Sequence, residues 1–161
     1  MREEVKNRLP CLLDRLVDES PGHKADPLQR RTVSLPEYRT AVLRDLRWLL
    51  NSACHLEGGP LYDYPMVRSS VLNYGTRDLA GMTSNSFDEL KLEQDLRDAI
   101  LAFEPRIIPD SLQVRISRDG SEDGKIAFEI DGQLWALPYA ERVMFRTEMD
   151  LETGVCELNL L

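Results

Sequence analysis

The chain has 161 residues, 42% hydrophobic and 30% charged, the balance of an ordinary folded domain large enough for its own core. Its formal net charge of −8 argues against nucleic-acid binding and against an anionic membrane surface, both of which need a basic face. Cys11, Cys54 and Cys156 are scattered and odd in number, so no disulfide framework is implied, and His23 and His55 lack metal-ligand spacing. No stretch approaches the ~18–20 apolar residues of a membrane span. The first residues carry acids where a signal peptide carries an apolar run, so a cytoplasmic compartment is expected.

Residues 1–33 read as a leader and linker, and 34–161 as a single α+β domain. Leu9, Leu12, Leu13 and Leu16 recur at helical spacing and form a short amphipathic segment. Asp18 to Pro27 is rich in charge and breakers, as a tether is. The sticky face suits a neighbouring protein or the chain's own domain equally well.

Ser34 and Glu37 form a capping box, and Tyr38, Val42, Leu46, Leu49, Leu50 and Ala53 then mark the buried face of a helix over about 35–54. Leu43 and Trp48 widen its apolar stripe, and Gly58-Gly59-Pro60 closes the region. Pro65 opens a second helix that Gly75 closes, with Val67, Val71, Leu72 and Tyr74 turned to the core. Ser86 and Glu89 make another capping box, ahead of a helix burying Leu92, Leu96, Ala99, Ile100 and Phe103.

That helix ends on Glu104-Pro105-Arg106. Proline cannot continue a helix and drives the preceding residue into an extended conformation, so the helix stops at about Phe103. Alternation in an extended segment puts Glu104 and Arg106 on the same side of a stiff corner.

Beyond the corner the period changes to two. Leu112, Val114 and Ile116 alternate with polar residues, as do Ile126, Phe128 and Ile130, and then Val143, Phe145, Thr147 and Met149. Asp131-Gly132 predicts a tight hairpin leading into Gln133–Leu137. Glu152-Thr153-Gly154 turns the chain into a last strand with Cys156, Leu158 and Leu160 on one face. The predicted fold is α+β, with helices on one face of a meandering antiparallel sheet of about four or five strands. The last strand runs apolar to Leu161 without a polar finish, and either pairs within its own sheet or offers an edge to another chain.

There is no glycine-rich nucleotide loop, no Gly-x-Ser-x-Gly and no cofactor motif. A carboxylate hydrolase, such as a lysozyme-like glycosidase with Glu104 as acid and Asp110 as second carboxylate, is the one enzymatic alternative. Arg106 beside Glu104 works against it, because a general acid needs its pKa raised and a neighbouring cation lowers it. A non-enzyme is expected.

Three ordered stretches, Arg44-Asp-Leu-Arg-Trp-Leu-Leu-Asn51, Ser70-Val-Leu-Asn-Tyr-Gly75 and Phe103-Glu-Pro-Arg-Ile107, precede the strand run containing Glu152-Thr-Gly154. Together with the leader Leu9–Leu16, this set resembles the TssE family of type VI secretion baseplate subunits, itself similar to the wedge protein of contractile phage tails. The resemblance implies a non-catalytic structural subunit without cofactor or metal, at the baseplate on the cytoplasmic face of the bacterial inner membrane. It implies wedge partners TssF, TssG and TssK, contacted through Glu104, Pro105 and Arg106. It further implies that the sheath subunits TssB and TssC are received by strand exchange at Val155, Cys156, Leu158 and Leu160.

Overall fold

The computed structural model describes residues 8–17, 32–54, 63–82, 88–117, 124–136 and 139–160. The tether at 18–27, the Gly58–Pro60 stop, Ser86, Leu137, both histidines and Leu161 lie outside the described residues. Four helices are described, α1 (Leu12–Leu16), α2 (Leu35–Leu50), α3 (Pro65–Arg68) and α4 (Glu89–Phe103). They precede β1 (Gln113–Ser117), β2 (Lys125–Leu134), β3 (Glu141–Asp150) and β4 (Cys156–Leu160). The strands form one antiparallel sheet in the order β1-β2-β3-β4, each paired with its neighbour in sequence.

The alternation written in the strands decides which face is covered. Phe128, Ile130, Phe145, Met149 and Leu158 are buried with Val42, Leu46 and Leu49 of α2 and Leu92, Leu96 and Ile100 of α4. The opposite face carries charge, including an Arg142–Asp131 ion pair across β3 and β2 at 2.6 Å. Fully burying a leucine or isoleucine stabilises the fold by about 1.5–3 kcal/mol, so this single layer of contacts dominates the energetics.

Several local expectations are overturned. Asp131-Gly132 is not a hairpin: β2 runs straight through it, with Asp131 opposite Met144 and Gly132 opposite Val143. The period-two apolar pattern continues past 130 to Leu134, and that long-range pairing outweighs the local turn signal. Gly132 serves close approach instead, since a Cβ there would lie 3.3 Å from the Ile107 side chain. The segment from Pro65 is a single helical turn followed by a 3₁₀ turn at Val71–Asn73, and Val71 and Leu72 are exposed rather than buried.

α2 ends at Leu50, because Ala53 leaves the helix to bridge Thr76. Ala53 is therefore exposed, not on the buried face, and Trp48 is half exposed. Gly75 makes that bridge possible: its φ is 127°, and a Cβ would sit 2.3 Å from the Ser52 carbonyl oxygen. Asp88, one residue before α4, is the cap, accepting from the amides of Leu90 and Lys91 at 3.0 and 3.4 Å. The Ser34–Glu37 capping box forms as the spacing predicts.

Candidate partner-binding site

α4 terminates where proline requires. The Glu104 amide closes the last turn on the Ile100 carbonyl at 2.8 Å, and its backbone then leaves the helix at φ −120° and ψ 80°. The chain is fastened at once to the end of β2: Ile107 bridges Leu134, the Ile108 amide donates to the Gln133 carbonyl and the Trp135 amide to the Arg106 carbonyl. The corner is thus rigid by backbone pairing on both flanks. Pro105 stands exposed at its tip.

The side chains of Glu104 and Arg106 do share a side, and they bind each other. Arg106 Nε donates to Glu104 Oε1 at 2.6 Å, Nη2 donates to Glu104 Oε2, and the Arg106 amide reaches Oε1 at 3.1 Å. Nη2 also donates to Asp45 Oδ2 of α2 at 2.6 Å. The Glu104 residue is only 3% exposed, so its charge is matched within the chain. Burial opposes the charge on Arg106, yet the Glu104 carboxylate, seconded by Asp45, holds the guanidinium above the ordinary arginine value. Arg106 Nη1 is buried and finds no acceptor among the described residues.

The ion chain extends further than the sequence suggests. Arg44 donates to Asp45 through Nε at 2.8 Å and to Asp14 of the leader through Nη1 at 2.6 Å. Asp14, Arg44, Asp45, Arg106 and Glu104 therefore alternate in sign from leader to corner. The leader is fixed by these polar contacts and by the Val33 amide on the Arg8 carbonyl, while Leu9, Leu12 and Leu16 face outward. No spacing rule links Asp45 to Arg106, 61 positions apart, so only the fold reveals this network.

Further along α2, among the described residues β4 pairs with β3 and with no other strand, so its outer edge is a sheet edge. Cys156 and Leu158 are buried by their side chains, whereas Val155 is 51% exposed. Leu160 continues the strand opposite Phe145. Of the residues singled out for strand exchange, two thus face inward, and what the edge presents is backbone. Burial pushes the Cys156 thiol up to about 12, which leaves it an unreactive packing group.

A groove of about 500 Å³ lies where this edge meets α2, lined by Arg47, Trp48, Asn51, Val155, Glu157 and Asn159 among others. Neither Glu104 nor Asp110 lines it, so it brings no carboxylate pair of the kind a glycosidase uses.

Comparison with protein families decides the classification. A model of the family described as baseplate wedge protein gp25 matches residues 36–139, nearly two thirds of the chain. The chain belongs to the baseplate wedge protein gp25 family. TssE belongs to the same family, which is one of structural baseplate components of contractile tails. A search of the curated proteins found no match, and a search of the solved structures found none either. The matched span takes in α2, α4, the corner and β2, and stops before β3 and β4. Among the described residues no helix is long and apolar enough to cross a membrane.

Proposed function

We propose that this protein is a non-catalytic structural subunit of a type VI secretion baseplate on the cytoplasmic face of the inner membrane. The domain 34–161, with the leader 1–33, joins the wedge made with TssF, TssG and TssK and gives the TssB–TssC sheath its first docking surface. The family match carries the baseplate part of this reading.

The wedge contact centres on Glu104, Pro105 and Arg106. Because Glu104 and Arg106 neutralise each other, their role is to brace the corner so that Pro105 and the flanking backbone meet the partner in one geometry. Preorganisation of this kind raises affinity by lowering the ordering cost of association. The second contact is the outer edge of β4, where residues 155–160 offer backbone groups to a strand of the sheath.

Co-purification with the wedge subunits tests the first contact. Arg106→Met loses TssF and TssG in pull-downs, and its retention of them at wild-type levels would refute the corner as the contact. Deleting residues 156–161 tests the second: wedge assembly persists and sheath polymerisation stops. Normal sheaths seeded by the truncated protein would sink the edge as their template.

A further inference from the structure

The outer edge of β4 is already occupied, by side chains of α2. The Asn51 carboxamide accepts from the Cys156 amide through Oδ1 at 2.9 Å and donates through Nδ2 to the Cys156 carbonyl at 2.9 Å. Arg47 Nη2 donates to the Leu158 carbonyl at 3.1 Å. Exchanging one donor and one acceptor with a single residue is what a residue of an adjacent antiparallel strand does, through its own N–H and C=O. A neutral amide in that position reproduces a piece of strand.

Spacing explains how a helix manages this. Residues four apart on a helix are separated by ~6 Å along its axis. Residues two apart on a strand, whose backbone groups point to the same edge, are separated by ~6.6–6.8 Å. Asn51 and Arg47 therefore meet Cys156 and Leu158 in step, with α2 running against β4. The opposite edge of the sheet is blunted in another way: Glu93 Oε1 accepts from the Ile116 amide, and Arg97 Nε donates to the Leu112 carbonyl. There Glu93 serves a single amide, and Arg97 serves the carbonyls of Leu112 and Pro109, so neither side chain exchanges a donor and an acceptor with one residue.

We infer that Asn51 is an internal stand-in for an incoming strand, closing the β4 edge in the unassembled protein and yielding it to an extended backbone from a partner. The occupant is a polypeptide segment in β conformation, because the N–H and C=O of one extended residue point to the same side and replace both bonds of the carboxamide in place. It adds along the outer edge of β4, displacing Arg47 from Leu158 and Asn51 from Cys156. The groove beside Trp48 gives the incoming chain its space. An acidic side chain on that segment meets the released Arg47 guanidinium. The inference rests on the reading of β4 as a docking edge, and supplies what keeps that edge from pairing prematurely with other chains.

Asn51→Ala in the full chain tests it, followed by amide hydrogen exchange and by capture of a synthetic peptide copying residues 155–161 as the strand probe. The expected result is about tenfold faster exchange at Cys156, the equivalent of one net hydrogen bond, with Glu157 and Asn159 still protected by β3. Peptide capture rises by a similar factor. Asn51→Asp, which keeps the acceptor and loses the donor, falls between the two. Loss of protection along all of β4 would show Asn51 to be a strut for the strand and overturn the inference, as would unchanged capture in a variant whose Cys156 amide is freed. Sheath seeding by the protein lacking 156–161 reads the docking proposal separately, so the two can fail independently.

Discussion

The corner at 104–106 and the edge at 156–160 satisfy exposed polar chemistry by opposite means. At the corner, full charges are buried against each other: Glu104 is 3% exposed and three donors of Arg106 converge on it. At the edge, a neutral amide and one guanidinium cover backbone groups beside an open groove. A buried ion pair cannot be exchanged cheaply, because removing one member leaves the other charged without water. A surface amide can be exchanged for a peptide at almost no net cost, since each hydrogen bond lost is remade. The difference suits a fixed shape at the corner and a replaceable contact at the strand edge.

The comparison breaks hardest at Arg106. Arg106→Met leaves the Glu104 and Asp45 carboxylates converging without their shared cation, at a cost of about 3–5 kcal/mol. For a chain of this size the thermal midpoint falls by roughly 10 °C, measurable by calorimetry. Exchanging the charges, Glu104→Arg with Arg106→Glu, does not restore stability, because Asp45 then faces a carboxylate instead of a cation. A double variant melting with the wild type would show the network to be unimportant to the fold. At the edge, Asn51→Ala changes strand capture far more than the thermal midpoint.

A smaller effect belongs to the leader. Burial by itself would raise the Asp14 pKa, but bonds from Cys11 and Arg44 outweigh it and hold the carboxyl below the ordinary aspartate value. A depressed folded-state pKa contributes stability above the unfolded value and loses it as pH falls through the folded one. The Asp14 contribution to leader docking is therefore complete at neutral pH and begins to be lost as pH falls below about 4. Asp14→Asn weakens it by only ~0.5 kcal/mol, since water reaches an Arg44 side chain that is 34% exposed. Amide exchange at Arg15 and Val17, bonded to the Cys11 and Leu13 carbonyls, reports both changes. Smallest of all, Arg142→Gln on the charged sheet face leaves the thermal midpoint where it was, its side chain being 68% exposed.

Local chemistry made much of the site legible. The stop at Phe103, the meeting of Glu104 with Arg106 and the turn at Glu152–Gly154 follow from proline geometry, alternation and turn residues, and each is present. Where a local signal competed with pairing at a distance, the distant partner won: Asp131-Gly132 stayed in β2, and Ala53 left its helix for Thr76. Nothing in the residues near Glu104 announces Asp45, and nothing near Cys156 announces Asn51.

What the sequence determined alone is the order of the longer helices and of the alternating runs, and the apolar face of α2, α4 and the strands, because periodicity and the capping and breaking residues act within a few positions. The direction of the charged and polar side chains was decided by tertiary structure. Whether Arg106 turns outward to a partner or inward to Asp45, and whether the last strand's edge stands bare or under α2, depends on what the fold brings within hydrogen-bonding distance. That distance is set by packing between segments far apart in the chain.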